Sequence, residues 1–295
     1  MAKRHRSAAS KRRSIITAIV IAALAAGVCI LAVKRMAAEN SGAVDTGRAA
    51  STQPISSELP QPDYGDLLYV TVPDTHEGLT KQYEGYRVSF NPSFHIPNWS
   101  AWELTKEETY GEAGRTNKFE SDPEVKGCPD TRDYSNTGYD RGHMAPAGDM
   151  KWSREAMRES FYLTNICPQN KALNSGAWGK LEKKCRDWAQ TEGPLYIICG
   201  PVYSDGPEEY IGESKVYVPK GFFKVILAPY SDLPKGIGFI MPNGKVKGGM
   251  AACAVPIDSV EAVTGYDFFS TLPDSIEHEL ESQCKFNRWR IPSAD

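Results

Sequence analysis

An uncharged apolar run near the start of the chain separates its N-terminus from its folded part. Residues 15–33 contain 19 positions without a charged side chain, about 28 Å as a helix, close to the thickness of a bilayer's hydrocarbon core. Six Lys and Arg residues precede the run and two follow it, so the N-terminus should stay in the cytoplasm and the remainder should cross. We expect a basic cytoplasmic tail at residues 1–13 and a transmembrane signal anchor at residues 14–33. A cleaved signal peptide, which would leave the remainder secreted, is the alternative, although its apolar region is usually shorter.

The composition changes after this run. Residues 34–62 are rich in Ala, Ser, Gly, Pro and Gln and poor in apolar side chains, which is typical of a flexible tether with a reach of roughly 30 Å. Of the whole chain, 41% is hydrophobic, which is enough for a sizeable core. We therefore expect one folded domain at residues 63–295, held clear of the membrane on its extracytoplasmic side.

Charge is distributed as unevenly as hydropathy. The formal net charge is -3, but residues 1–35 contain eight Lys and Arg and no acid, which leaves -11 for residues 36–295. A domain that binds nucleic acid without sequence preference would be expected to be basic. This domain can be basic only locally.

Strands outnumber helices in the folded part. Apolar runs bounded by turn residues predict strands at residues 83–90, 101–104, 161–166, 195–199, 215–218, 222–227 and 238–241. Helical periodicity and capping residues predict helices at residues 153–160, 174–190, 259–264 and 276–282. Residues 107–133 are predicted to be irregular and residues 139–150 turn-like. Because strands do not alternate regularly with helices, we expect an α+β fold whose mainly antiparallel central sheet is flanked by helices.

Seven cysteines are present, and one of them, Cys29, lies in the apolar run. The other six permit up to three disulfides, in pairings that the sequence does not determine, or a fully reduced set of buried thiols. They are Cys128, Cys167, Cys185, Cys199, Cys253 and Cys284. No CxxC spacing occurs, so a zinc site is not expected.

The densest set of chemically useful side chains lies between Tyr139 and Arg186. It comprises Asp140-Arg141-Gly142-His143, then Asn165 and Gln169, then Asn174, Trp178, Glu182 and Arg186. Such a set suits hydrolysis of a phosphodiester, which needs a base for water, a cation near the scissile phosphate, and positive groups for the charge on its oxygens. His143 is the natural base because the unperturbed pKa of imidazole lies near neutral pH. A histidine satisfied by structural hydrogen bonds is the alternative.

The predicted helix at residues 174–190 places four of these residues at steps of four, as a slanting stripe along one side. Asn174 offers an amide oxygen that suits Mg²⁺, although Asn is also a favoured helix N-cap. Glu182 would lie about 12 Å along the axis from Asn174, too far to share a ligand shell, and would orient water or a neighbouring group. Trp178 is expected to serve packing, and a surface ion pair is the alternative for Glu182 and Arg186.

Phosphodiester hydrolysis also needs positive charge near the phosphate oxygens. Arg141 and Arg115 could grip a phosphate with paired N–H donors. The alternatives are an ion pair of Arg141 with Asp140 and an exposed Arg115 without a role. Five lysines nearby in sequence could form a basic groove or a solvated helix face: Lys151, Lys171, Lys180, Lys183 and Lys184.

Taken together, these motifs resemble the DNA/RNA non-specific endonuclease family, the ββα-metal nucleases. The likeness rests on Asp140-Arg141-Gly142-His143 (the DRGH motif), Asn165-x-x-x-Gln169 and Asn174-x-x-x-Trp178-x-x-x-Glu182. It extends over about residues 80–275, through residues 97–105, Arg115 with Phe119, residues 218–224 and residues 259–273.

The resemblance implies a role for each residue of the central stretch. His143 would be the general base, Asn174 the protein ligand of one Mg²⁺, and Glu182 would act through water held by that ion. Arg141 and Arg115 would contact phosphate. The supporting residues would be Asp140, Asn165, Gln169, Trp178 and Arg186.

The implied activity is Mg²⁺-dependent endonucleolytic hydrolysis of DNA and/or RNA, with Mn²⁺ a suitable substitute. The expected partners are the phosphate backbone of nucleic acid, the membrane at the N-terminal helix, and a second copy of the chain if the protein is a homodimer. A catalytically idle nucleic-acid-binding or uptake module with the same fold is the alternative. A metalloprotease, suggested by Glu277-His278-Glu279, lacks the second histidine that zinc would need at helical spacing.

Overall fold

A computed structural model describes residues 62–73, 77–203 and 208–289, which all belong to the unit Pro60–Asp295. The predicted cytoplasmic tail, transmembrane helix and linker lie outside these ranges, apart from residue 62. Among the helices of the described ranges, none is long and apolar enough to span a bilayer.

The strands and helices are numbered here along the described chain. The strands are β1 (Val70–Thr71), β2 (Leu79–Gln82), β3 (Arg87–Asn91), β4 (Ile96–Leu104), β5 (Asp140–His143), β6 (Ile166–Gln169), β7 (Leu195–Val202), β8 (Tyr210–Ile211), β9 (Val216–Tyr217), β10 (Gly221–Ala228), β11 (Lys235–Pro242), β12 (Ala254–Val255) and β13 (Asp267–Phe268). The helices are α1 (Arg154–Glu159), α2 (Gly179–Glu192), α3 (Ile257–Thr264) and α4 (Asp274–Glu281). Ser153 caps α1 as predicted, since its hydroxyl accepts from the N–H groups of Glu155 and Ala156.

A seven-stranded sheet in the order β12-β11-β10-β7-β4-β3-β2 forms the centre of the domain, and every neighbouring pair is antiparallel. All eight residues of β10 are buried, and the strand pairs with β7 and β11 so that Val225 lies between Ile198 and Gly238. The prediction of a mainly antiparallel central sheet is confirmed.

Alternate residues of β10 face opposite layers, as the pleat of a strand requires. Phe222 and Ile226 belong to an apolar cluster that includes residues of α2, whereas Phe223 and Val225 belong to a cluster that includes residues of α3 and α4. Helices therefore cover both faces of the sheet. Burial on both faces explains why β10 is a nearly continuous apolar run in the sequence.

A small substructure beside the sheet carries the dense central stretch. β5 pairs antiparallel with β6, so that Asp140 lies opposite Gln169 and His143 lies opposite Ile166. A π-helical segment, Leu173–Trp178, then leads directly into α2. Two strands and a helix therefore form the ββα unit that the resemblance implies.

Three local predictions were wrong. Residues 140–143 form β5 rather than a turn, because their pairing partner β6 lies far along the chain. The strand predicted at residues 161–166 is a 3₁₀ turn at Leu163–Asn165, and β6 begins only at Ile166. The strand predicted at residues 83–90 begins only at Arg87, as β3, because residues 83–86 form the hairpin turn after β2, in which Tyr83 N–H donates to Tyr86 O.

The six cysteines within the described ranges are all free thiols. Cys167, Cys185 and Cys199 are buried in the core, and burial raises the pKa of each thiol above its ordinary value. Of the two states that the sequence leaves open, the structure has the reduced one.

Candidate active site

A cavity of about 190 Å³ lies beside the ββα unit. A second depression, of about 290 Å³, shares Arg141 and Asn174 with it, and Asp140 lies in its wall. The first cavity brings together the residues predicted from sequence to be catalytic or to bind metal: Arg115, Arg141, His143, Asn174 and Glu182, with Arg186 beside them. Residues from widely separated parts of the chain therefore share one polar space.

His143 ends β5 at the wall of this cavity and is only 7% exposed. Its ring lies edge-on to Phe161, with 4.9 Å between ring centroids, and 5.3 Å from the ring of Phe119. The Nε2 atom is buried without a hydrogen-bond partner in the described parts of the chain. Burial, together with the positive charge of Arg115, lowers the pKa of His143 to about 3. The imidazole is therefore neutral at pH 7.

The backbone that follows His143 is held from behind by Asn165, which is fully buried. The side-chain NH₂ of Asn165 donates to the carbonyls of Ala145 and Ser160, at 2.8 and 3.0 Å. Its Oδ1 accepts from the Ala145 N–H and from the Ser100 hydroxyl, both at 2.9 Å. Asn165 therefore fixes the backbone next to His143 and does not line the cavity.

The glycine of the Asp-Arg-Gly-His motif makes room for Gln169. A Cβ placed at Gly142 would lie 2.5 Å from Cβ and 2.8 Å from Cδ of Gln169, closer than carbon atoms can approach. Gln169 is fully buried, and neither of its side-chain polar atoms has a hydrogen-bond partner among the described residues. Like Asn165, it lies behind the cavity and packs against the strand that carries His143.

Asn174 lies inside the π-helical segment and is not the helix N-cap. Its N–H donates to Asn170 O, as in a helix interior, and the side chain of Asn170 accepts from the Ala172 N–H instead. The Asn174 Nδ2 donates to Asp140 Oδ2 at 2.9 Å. Because a carboxylate can only accept, this bond fixes the orientation of the amide and leaves Oδ1 as an acceptor beside the cavity.

Glu182 and Arg186 line the cavity together but are not the surface ion pair considered from sequence. Arg186 Nη1 donates instead to Asp149 Oδ1 at 2.6 Å. Asp149 is 1% exposed, and its other oxygen accepts from the Trp102 indole N–H at 3.1 Å. Burial raises the pKa of the Glu182 carboxyl to about 7.

Trp178 lies in the core, 5.7 Å from the ring of Phe222, and does not line the cavity. The predicted stripe of four residues is therefore interrupted, because the backbone at Gly176 is not helical and the chain kinks between Asn174 and Trp178. The expectation that Trp178 serves packing agrees with its position.

Arg141 has no ion pair with Asp140, which instead accepts from Asn174. Its Nη2 donates to Thr131 O at 3.0 Å, and its guanidinium lies 5.3 Å from the centroid of the Phe119 ring. Its Nε is buried without a hydrogen-bond partner among the described residues. A carbonyl and an aromatic face thus hold the group at the cavity without cancelling its charge.

Arg115 is exposed, as one alternative from sequence supposed, but it is held in place. Its guanidinium lies 5.0 Å over the Phe161 ring, and its Nε donates to Asn117 Oδ1 at 2.8 Å. The five lysines considered from sequence do not line either depression. The positive charge at the site comes from arginines.

Two buried charged residues near the site were missed from sequence. Lys224 is fully buried, with Nζ 4.6 Å from the ring centroids of both Trp102 and Trp178, and its charge acts on Glu182. Its sequence signal is a single charge inside the eight-residue apolar strand β10. Asp149 lies six residues after His143, within the turn-like region, where an acid is expected to be solvated.

The donor set at the cavity fits a hard divalent cation. Asn174 Oδ1 and the Glu182 carboxylate are oxygen donors, and a small number of protein oxygens with water is the usual environment of Mg²⁺. His143 and Arg141 also line this cavity, and each has a buried nitrogen, Nε2 and Nε respectively, with no hydrogen-bond partner among the described residues.

Comparison with known proteins is consistent with this geometry. The family model for DNA/RNA non-specific endonucleases matches residues 63–275. The mitochondrial nuclease EXOG of Mus musculus is 36% identical over 230 residues, which cover 72% of this chain and 62% of that protein. Nuclease C1 of Cunninghamella echinulata var. echinulata is 34% identical over 236 residues, which cover 74% of this chain and 93% of that protein.

A solved structure is also similar to this one. The crystal structure of the EndoG/EndoGI complex, described as showing the mechanism of EndoG inhibition, contains a chain with a TM-score of 0.63 and 29% sequence identity, covering 68% of this chain and 89% of that chain. This chain spans about three fifths of the length of the mitochondrial EXOG nucleases. Because residues 63–275 include the whole central sheet and every wall of the cavity, the likeness is that of an entire domain, and the chain belongs to the DNA/RNA non-specific endonuclease family.

Proposed function

We propose that this protein is a Mg²⁺-dependent, sugar-non-specific endonuclease that hydrolyses phosphodiester bonds in DNA and/or RNA, with His143 as the general base. The observation that carries the proposal is the convergence of a neutral, unpartnered imidazole and arginine guanidinium groups on one cavity. Arginines suit a phosphate anion, and a neutral imidazole beside them suits the removal of a proton from attacking water.

The low pKa of His143 makes it a weak base in the free protein, and bound substrate would strengthen it. The charge of Arg115 is the second cause of that low pKa, after burial. A phosphate held by Arg115 and Arg141 would offset this charge and raise the proton affinity of the imidazole. The base would then act best when a phosphodiester is in place.

Tolerance of sequence and sugar follows from the same residues. Arg115 and Arg141 present guanidinium groups, which pair with phosphate oxygens rather than with base edges. Arg186 lines the same cavity, where Asp149 holds it, and provides a cation beside Glu182. Contacts of this kind position a backbone without selecting bases.

Asn174 would hold Mg²⁺ at the cavity. When bound, the ion would supply positive charge for the scissile phosphate and the leaving oxygen. Asp140 keeps Oδ1 of Asn174 directed away from itself, and Glu182 would orient water held by that ion.

Nicking of supercoiled plasmid by the full chain, with Mg²⁺ and with chelator, tests the proposal. We expect nicking only with Mg²⁺, and cleavage of single-stranded DNA, duplex DNA and RNA under the same condition. Retarded migration of the plasmid without any nicking would identify the chain as an idle nucleic-acid-binding module instead.

We also propose that the domain acts at a membrane, outside the cytoplasm. The support is the uncharged run at residues 15–33 with six basic residues before it and two after it. The intact chain should stay with membranes through alkaline extraction, and its domain should be accessible to protease from the extracytoplasmic side. Recovery of a shortened soluble product would favour the cleaved signal peptide.

A further inference from the structure

Three carboxylates meet on the face of the sheet opposite α2. Asp258 and Glu261 lie three residues apart on α3, and Glu281 is the last residue of α4. One oxygen from each lies within 4.8 Å of the others. Twice a typical calcium–oxygen distance is about 4.6–5.2 Å, so these oxygens can bind one such ion together.

Glu281 carries the observation that points to a ligand. It is 4% exposed, and within residues 62–73, 77–203 and 208–289 its buried Oε1 has no hydrogen-bond partner although it belongs to this cluster. Carboxylates are rarely buried unless they are paired. Its position at the C-terminus of α4 is also unfavourable for an anion, because the helix dipole is negative there.

No cation of the described protein neutralises this cluster. The ion pairs of the described residues do not include Asp258, Glu261 or Glu281. Residues 248–284 contain seven acids and no Lys or Arg. Burial, followed by repulsion from Glu261 and other neighbouring acids, raises the pKa of Glu281 to about 9.

We propose that Asp258, Glu261 and Glu281 form a divalent-cation site, of the calcium type, that joins α3 to α4 and stabilises the fold. The site is separate from the nuclease cavity, because α3 and α4 belong to the cluster on the other face of the sheet. Calcium suits it because that ion accepts several carboxylates, singly or in pairs, in flexible geometry. The alternative is that protons, and not a cation, neutralise the carboxylates.

Thermal unfolding of the full chain with calcium chloride or with chelator tests the site. At calcium one hundred times above its dissociation constant, we expect the midpoint to rise by about 5–10 °C. Glu281→Gln and Asp258→Asn should each abolish the rise.

Two further variants show where in the protein calcium acts. Glu279→Gln removes an exposed carboxylate from the same helix and should keep the full calcium response. Asn174→Ala should keep it too, which separates this site from the nuclease cavity. An unchanged midpoint for the parent in calcium would overturn the proposal, as would a full response in both Glu281→Gln and Asp258→Asn. Because the readout is unfolding, loss of the proposed nuclease function would not imitate either result.

Discussion

His143 owes its low proton affinity to its surroundings, not to its position in the sequence. Phe161 and Phe119 exclude water from the ring, and Arg115 adds a positive charge nearby. Both effects favour the neutral form. The same two aromatic rings also support Arg115 and Arg141, so one aromatic cluster positions the proposed base and the proposed phosphate-binding groups together.

The shifted pKa of His143 predicts a specific dependence of stability on pH. Between about pH 6.5 and 3 the unfolded chain binds a proton at this position and the folded chain does not. The stability that His143 contributes is thus complete above about pH 6.5 and is lost as the pH falls toward 3. Between pH 6.5 and 5, wild type should lose about 2 kcal/mol relative to His143→Gln.

Urea unfolding at the two pH values measures this difference. His278→Gln, at an exposed histidine of α4, is the control and should lose stability in parallel with wild type. Parallel loss in His143→Gln as well would mean that the imidazole titrates normally in the folded protein.

At the scale of elements, the ββα unit depends on how closely β5 and β6 pack. Gly142 and Gln169 occupy neighbouring positions of the paired strands, and the glutamine side chain fills the space that a larger residue at position 142 would need. His143 follows immediately. Any displacement of β5 would therefore move the imidazole relative to Asn174 on the helical segment.

Gly142→Ala should consequently damage both the fold and the activity. Overpacking of this kind costs about 1–3 kcal/mol, measured as the free energy of unfolding in urea. Plasmid nicking should fall as well, because the strand that carries His143 must shift. Gly114→Ala is the matched control, since a Cβ there meets nothing within 4 Å. Wild-type stability and nicking in Gly142→Ala would show that Gln169 can move aside freely.

The central sheet was predictable from sequence because its strands are apolar runs whose pattern reflects their own burial. β7, β10 and β11 appear within a few residues of their predicted bounds. β5 was not predictable, because Asp-Arg-Gly-His has no apolar alternation and becomes a strand only by pairing with distant β6.

Some residues of the candidate site were predictable from sequence and others were not. Asp140, His143, Asn174 and Glu182 form a recognisable motif, so their association could be expected. The burial of Lys224 between two indoles, and of Asp149 between Arg186 and Trp102, could not. A lone charged residue is exposed by default, and only the packed neighbours reveal that it is not.

For the whole molecule, the question is how an acidic protein would bind the polyanion that we propose as its substrate. The folded part carries most of the -11 charge of residues 36–295, and the lysines near the motif do not line the cavity. Attraction to nucleic acid must therefore come from a few arginines: Arg115, Arg141 and, partly neutralised by Asp149, Arg186. Binding should be local and only weakly dependent on long-range electrostatics.

The salt dependence of DNA binding tests this directly. Two or three neutralised phosphates predict a slope of about -2 to -3 for the logarithm of affinity against the logarithm of salt concentration. A basic groove that also used the five lysines would give a slope of about -7. Binding measured in chelator, to prevent cleavage, should show the shallow slope, and Arg115→Ala should reduce it by about 0.9. A steep slope that Arg115→Ala leaves unchanged would place the contacts elsewhere.

The assignment of separate roles to His143 and Asn174 across one cavity is tested most directly by a Mg²⁺ titration of single-turnover cleavage. Asn174→Ala should raise the Mg²⁺ concentration at half-maximal rate by at least about tenfold. His143→Ala should lower the saturated rate by about 10²–10⁴ and leave that concentration unchanged. Wild-type titration curves from both folded variants would contradict the account.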